Sequence, residues 1–132
     1  MGYTVNLECS RLRCHTRADA EAATEKVTHH VEMCPYHLMV SPRCMSSPPR
    51  DDAWGLDIDH FAGDQWNDDE AIQLWLDIAP HLADGSTIEF QGEDGWRWRI
   101  QWEAGRVVEE TVHEVIWVEN RQLQPPLKGS TS

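Results

Sequence analysis

Residues 96–103 carry the sequence Trp-Arg-Trp-Arg-Ile-Gln-Trp-Glu, in which apolar and polar side chains alternate without interruption. Alternation with a period of two is typical of a β-strand, because successive side chains of a strand point to opposite faces of the sheet. One face of this strand carries Trp96, Trp98 and Trp102, and the other carries Arg97 and Arg99. We predict that the tryptophan face lies in the core. The alternative is an exposed aromatic platform on which a base or a sugar stacks.

Glycine-containing turns enclose this strand. Gly92-Glu93-Asp94-Gly95 precedes it and Ala104-Gly105 follows it, and short turns of this kind join antiparallel neighbours. The turns therefore predict a three-stranded C-terminal meander, with strands near residues 86–91, 96–103 and 106–119.

Before the meander, the patterns typical of strands and of helices alternate along the chain. Two alternating runs predict strands. Thr16 and Asn67 have the side chains of helix N-caps, and each precedes apolar residues spaced three and four apart, which predicts two helices. The predicted elements are strands at 3–9 and 54–61, helices at about 17–33 and 67–80, and a short strand at 36–40.

This order of elements predicts an α+β domain, with an antiparallel sheet and both helices packed on one of its faces. A chain of 132 residues is close to the commonest size of one domain. Three prolines and three serines predict a mobile loop over 41–52, and a Pro-Pro pair followed by small polar residues predicts a disordered tail over 122–132. We therefore expect a single folded domain over residues 1–121.

The charge of the chain excludes some classes of partner. It has 11 Lys and Arg against 23 Asp and Glu, a formal net charge of -12, and such a surface repels nucleic-acid phosphates and anionic membranes. A basic protein surface is the partner that this charge favours. The N-terminus has no basic region followed by an apolar stretch, so we expect a cytoplasmic protein with reduced cysteines.

A family resemblance lies in the meander. The segment Ile88-Glu89-Phe90-Gln91-Gly92-Glu93-Asp94-Gly95, with Trp96-Arg97-Trp98-Arg99 and Gly105-Arg106-Val107-Val108-Glu109-Glu110, resembles the C-terminal meander of small uncharacterised proteins of actinobacteria and phages. The resemblance covers about the last third of the chain. It implies the hairpin fold of this region and a bacterial or phage origin, and it implies no catalytic residue.

Cysteines and histidines cluster in the first third of the chain. Thiolates and imidazoles are the ligands that zinc prefers, and the Cys34-Pro35-Tyr36-His37 spacing lets one turn present two of them. Cys14 and His15 would complete a tetrahedral site. Buried thiols that serve only packing are the competing interpretation, and we favour it, since Cys34 falls on the apolar side of a predicted helix. We therefore predict no cofactor, with zinc as the alternative.

Other polar clusters have simpler interpretations. The acidic run from Asp57 to Glu70 does not match the spacing of a twelve-residue calcium loop, and acids are favourable at a helix N-terminus without any ion. His60, His81 and His113 would each serve as a general base only beside a nucleophile or a carboxylate, and the sequence has no nucleophile motif.

We predict a protein-binding module that is not an enzyme, of the inhibitor, anti-defence or immunity type. It would dock on a basic partner through an acidic sheet face or an exposed final strand. The alternative function is a zinc protein or metal-dependent enzyme that uses the Cys/His cluster. Arg97 and Arg99 are expected to pair across strands with Glu89, Glu109 or Glu110. The predicted partner-binding residues are Glu89, Glu109, Glu110, Glu114 and Glu119.

Overall fold

A computed structural model describes residues 3–31, 37–63, 66–113 and 116–124 of the chain. Within these ranges the chain forms two α-helices and one seven-stranded antiparallel sheet with the strand order β2-β3-β1-β4-β5-β6-β7, which confirms the predicted α+β class. In chain order the elements are β1 (Val5–Cys14), α1 (Arg17–Val31), β2 (His37–Cys44), β3 (Trp54–Ala62), α2 (Asp68–Ile78), a 3-10 turn (Ala79–His81), β4 (Ser86–Gly92), β5 (Arg97–Glu103), β6 (Arg106–His113) and β7 (Ile116–Gln122).

Both helices begin at the predicted caps. The Thr16 hydroxyl accepts a hydrogen bond from the Asp19 N–H before α1, and the Asn67 side chain accepts one from the Glu70 N–H before α2. These bonds satisfy N–H groups that have no partner inside a helix. Neither helix in the described ranges has the length and the apolar character needed to cross a lipid bilayer.

The helices cover the face of the sheet that carries the tryptophans of β5. Trp75 of α2 lies edge-on to Trp102, with 6.0 Å between ring centroids, and its carbonyl accepts a hydrogen bond from the Trp102 indole N–H. Phe90 of β4 packs against both Trp75 and Trp98. This aromatic contact fixes α2 over the middle of the sheet, and it confirms the predicted core position of Trp98 and Trp102.

The prediction that Trp96 shares this core is wrong, because its side chain is 55% exposed. The cause is the turn before β5. Gly95 has a φ of 87°, the Trp96 N–H donates to the Asp94 carboxylate, and the Trp96 carbonyl accepts from the Gly92 N–H. Trp96 is therefore part of the turn, and β5 begins one residue later.

The last predicted strand is two strands. Residues 106–119 do not form one continuous strand, because β6 and β7 pair with each other in antiparallel register. β7 is one edge of the sheet. The chain remains ordered after β7, since Leu123 is buried and its N–H donates to the Val107 carbonyl. The predicted disordered tail is therefore wrong for residues 122–124, and residues 125–132 lie outside the described ranges.

The predicted mobile loop begins too early. Residues 41–44 belong to β2, where Ser41 faces Asp57 and Cys44 faces Trp54 of β3. Pro42 argued against a strand because it has no N–H to donate, but β2 is an edge of the sheet and tolerates a missing donor.

Candidate functional site

Three of the acids predicted to bind a partner form ion pairs with arginines of neighbouring strands. Arg97 lies 3.5 Å from Glu89, and Arg99 lies 2.5 Å from Glu110, which confirms the predicted cross-strand pairs. Arg106 lies 3.0 Å from Glu119 in the same way. Arg97 and Arg99 also stack over the ring of Trp117, 5.5 and 4.5 Å from its centroid. This part of the sheet is thus a balanced network of charges and not an acidic face.

Glu109 lies on the opposite face, and the prediction that it is an exposed partner of Arg97 or Arg99 is wrong. In the β5–β6 register Glu109 faces Ile100, so its side chain points to the helix-covered side and is only 9% exposed. Arg121 of β7 donates two hydrogen bonds to its carboxylate, and Asn120 donates a third. Hydrogen bonding to Glu109 raises the pKa of Arg121. No sequence pattern indicates this pair, because the pair depends on β7 folding back beside β6. Glu114 lies outside the described residues.

The structure does not bring the predicted zinc ligands together within the residues it describes. Cys14 is the last residue of β1 and is buried. Burial, and to a lesser extent the negative charge of Asp19, raise the pKa of its thiol to about 12. His15 is exposed beside it. Cys34 lies outside the described ranges, and so does the side chain of His37. Across the described side chains no three His, Cys, Asp or Glu residues are placed to share a metal ion.

His81 and two acids of the acidic run, Asp57 and Asp68, also have separate partners. His81 holds Asp19 with 2.8 Å between Nδ1 and Oδ1, which joins the 3-10 turn to α1 and lowers the pKa of that carboxyl. Asp57 pairs with Arg43 at 3.1 Å, and Asp68 pairs with Arg121 at 2.7 Å. Asp19, Asp57 and Asp68 therefore each pair with a different residue.

One concave feature built by the described residues is an opening inside the sheet, between β1 and β3, which we call the β1–β3 cleft. The strands pair at one end, where Leu12 faces Leu56, and meet again at the other, where the Val5 N–H donates to the Gly63 carbonyl at 3.0 Å. Seven positions separate these two points on each strand. Between them the described residues of β1 and β3 form no ladder pair, and the strands separate around a space of about 690 Å³.

Two β-bulges accompany this separation. The register of β1 with β4 shifts at Glu8, and the register of β3 with β2 shifts at Asp59. A bulge adds one residue to a strand and bends it away from a straight course. Because the register is the same at both ends of the cleft, the two bulges lie nearly level with each other. One extra residue in each strand explains why β1 and β3 separate and then pair again in the same register.

The rim of the cleft is polar and negatively charged. Glu8, Asp59, Cys9 and His60 line it and are exposed. Among the described residues Glu8 and Asp59 form no ion pair. Along the cleft the described residues of β1 and β3 have no ladder partner in each other, and main-chain groups without a partner strand can bind a ligand that supplies hydrogen bonds. The cleft therefore offers a ligand two carboxylates and free main-chain acceptors in one place.

Comparison of the chain with protein-family models, with curated proteins and with solved structures gave no match. The resemblance of the C-terminal meander to small actinobacterial and phage proteins stays a prediction.

Proposed function

We propose that this protein is a binding module that receives a basic side chain of a partner protein in the β1–β3 cleft. The observation that carries the proposal is the parting of two adjacent strands between fixed ends, which leaves main-chain groups unpaired beside Glu8 and Asp59. The proposal keeps the predicted basic partner but moves the contact away from the C-terminal acids, since those are paired with arginines.

The shape of the cleft favours a side chain over a whole added strand. Neighbouring strands lie roughly 4.8 Å apart, so an inserted strand needs about twice that separation along its full length. Here the strands are pinned together at Val5 and Gly63 and again at Leu12 and Leu56. A strand would collide with both closed ends, whereas one long side chain can enter from the open face.

The chemistry of the rim favours a guanidinium or an ammonium group. An arginine presents five N–H donors in a planar fork, which matches carboxylates and main-chain carbonyls together. The net charge of -12 also raises the rate at which a basic surface encounters the protein. An acidic or neutral side chain would leave the carboxylates of Glu8 and Asp59 without compensation as they lose water.

A peptide pair tests the proposal. One fluorescent hexapeptide carries a central arginine, and its control carries citrulline, which has nearly the same shape and no charge. Fluorescence anisotropy at low salt should show binding of the arginine peptide only. The double variant Glu8→Gln, Asp59→Asn should weaken that binding roughly tenfold, since two charge-assisted contacts are lost. The matched control Glu25→Gln, Asp69→Asn removes two exposed acids elsewhere and should leave binding nearly unchanged.

Cys9 provides a second readout inside the cleft. In a Cys34→Ser, Cys44→Ser chain, alkylation of Cys9 with a bulky maleimide should block the arginine peptide. In a Cys9→Ser, Cys34→Ser chain, alkylation of Cys44 should not. Equal binding of the citrulline peptide, or unchanged binding by the Glu8 and Asp59 variant, would show that the cleft is not the site.

A further inference from the structure

A second concave site lies where the N-terminal segment, the start of α2 and strands β5 to β7 meet. Its volume is about 390 Å³, which is within the usual range for small-ligand pockets. We call it the aromatic pocket. Its lining combines four aromatic residues with three charged ones: Tyr3, Trp66, Trp96, Trp98, Asp68, Glu109 and Arg121.

Hydrogen bonds hold the aromatic walls in place. The Trp66 N–H donates to the Tyr3 carbonyl at 2.7 Å. The Tyr3 hydroxyl donates to the Asp94 carboxylate, and the same carboxylate accepts the Trp96 N–H at 3.0 Å. One acid at the β4–β5 turn thus ties two walls of the pocket together. Walls fixed in advance reduce the entropy that a ligand must remove on binding.

Trp96 leaves an aromatic surface open at the mouth of the pocket. Two other partly exposed tryptophans each lie beneath a cation: Arg17 lies 5.2 Å above the ring of Trp54, and Arg99 lies 4.5 Å above that of Trp117. Among the described residues no guanidinium lies over Trp96, whose side chain is more than half exposed.

The charged residues of the pocket give it an excess of negative charge. Glu109 and Asp68 share the single guanidinium of Arg121, whose Nη2 lies 2.8 and 2.7 Å from their carboxylate oxygens. Two carboxylates and one guanidinium leave one negative charge uncompensated. Aromatic faces also attract cations through their quadrupole, and tryptophan does so most strongly. The aromatic rings and the excess negative charge of the pocket therefore both favour a cationic ligand.

We propose that the aromatic pocket binds a methylated ammonium group, with its methyl groups against Trp96 and Trp98. Methylation spreads the positive charge over an apolar surface, so the group loses little hydration on entering a site walled by rings. An unmethylated ammonium is strongly hydrated in water, so it gains less binding free energy in the pocket. The source of the group is either a free small cation such as choline or a trimethyl-lysine side chain of a protein. This inference is independent of the β1–β3 cleft.

Indole NMR tests the proposal residue by residue. Protein with nitrogen-15 in its seven tryptophans is titrated with choline chloride, with 3,3-dimethylbutan-1-ol as the neutral isostere, and with sodium chloride as the salt control. Choline should shift the indole N–H signals of Trp96, Trp98 and Trp66 in a saturable way, and those of Trp54 and Trp117 should stay in place. A peptide with trimethyl-lysine, compared with the same peptide with lysine, tells which source binds more tightly.

Variants separate binding from folding. Trp96→Ala changes an exposed side chain, so the protein should fold normally and bind choline roughly tenfold more weakly. Trp96→Phe should recover part of that loss. Glu8→Gln in the β1–β3 cleft should change nothing here, so failure of one proposal leaves the other open to its own test. Equal shifts with the neutral isostere, no saturable shift with either methylated cation, or full binding by Trp96→Ala would overturn the proposal.

Discussion

Trp98→Ala should be among the most destabilising single substitutions in this domain. The Trp98 ring is 6% exposed and packs 5.7 Å from the Phe90 centroid and 6.5 Å from that of Trp66. A buried tryptophan removes roughly 150–250 Å² from water, which at about 25 cal/mol per Å² corresponds to roughly 4–6 kcal/mol. Partial collapse of the cavity recovers some of this, so we expect a loss of about 3–5 kcal/mol.

Trp96→Ala is the matched control, because it makes the same chemical change two residues away on an exposed side chain. It should cost less than about 1 kcal/mol. Urea unfolding followed by circular dichroism at 222 nm measures both variants, and equal m-values would show that the two-state analysis holds. A loss of several kcal/mol should also lower the Tm by roughly 10–20 °C in a domain of this size.

Two results would refute the reasoning. If Trp98→Ala leaves the unfolding midpoint unchanged, the tryptophan face is not covered by the helices. If Trp96→Ala costs as much as Trp98→Ala, then Trp96 belongs to the core and the β4–β5 turn is not as described.

Three further predictions concern polar groups. Glu109→Ala should destabilise the domain by about 1–3 kcal/mol, because it removes a nearly buried carboxylate that accepts hydrogen bonds from Asn120 and Arg121, while Glu119→Ala, which breaks a half-exposed ion pair with Arg106, should cost under about 1 kcal/mol; equal urea midpoints for the two would contradict the buried position of Glu109. The pKa of the Cys14 thiol, raised to about 12 by burial, should leave about a thousandfold less thiolate than its usual value of 9.0, so in a Cys34→Ser chain a thiol reagent at pH 8 should label Cys9 long before Cys14. Burial and Asp94 raise the pKa of Tyr3 from 10.0 to about 12, so its protonated hydroxyl stabilises the fold below pH 10 and this contribution is lost as the pH rises to about 12; the difference in unfolding midpoint between the native chain and Tyr3→Phe should shrink over that range, and a constant difference would contradict it.

Short-range patterns were sufficient to predict most of the elements. The alternation in β5 identified the strand and its two faces, and the side chains of Thr16 and Asn67 identified where both helices begin. These features act between residues at most four apart, so they are visible before the chain is folded. The α+β class followed from the order of such elements along the chain.

The same patterns misplaced residues where a turn or a neighbouring strand decided the outcome. Pro42 lies in β2 because that strand is an edge, and Trp96 is exposed because the turn before β5 extends over it. Glu109 is adjacent to Glu110 in the sequence and was predicted to be exposed, but β7 returns beside β6 and Arg121 pairs with the buried carboxylate of Glu109. Nothing in the sequence of residues 106–113 indicates that Arg121, at least eight positions later in the chain, lies beside Glu109.

Neither candidate site follows from local sequence at all. The β1–β3 cleft exists because β1 pairs with β4 on one side and with β3 on the other, and because a bulge in each of two strands far apart in the chain falls at nearly the same level. The aromatic pocket joins residue 3 to residues 66, 96 and 121. Alternation and capping are set by the backbone geometry of a few consecutive residues, whereas ladder register is set by pairing between distant segments, and only the folded chain brings those segments together.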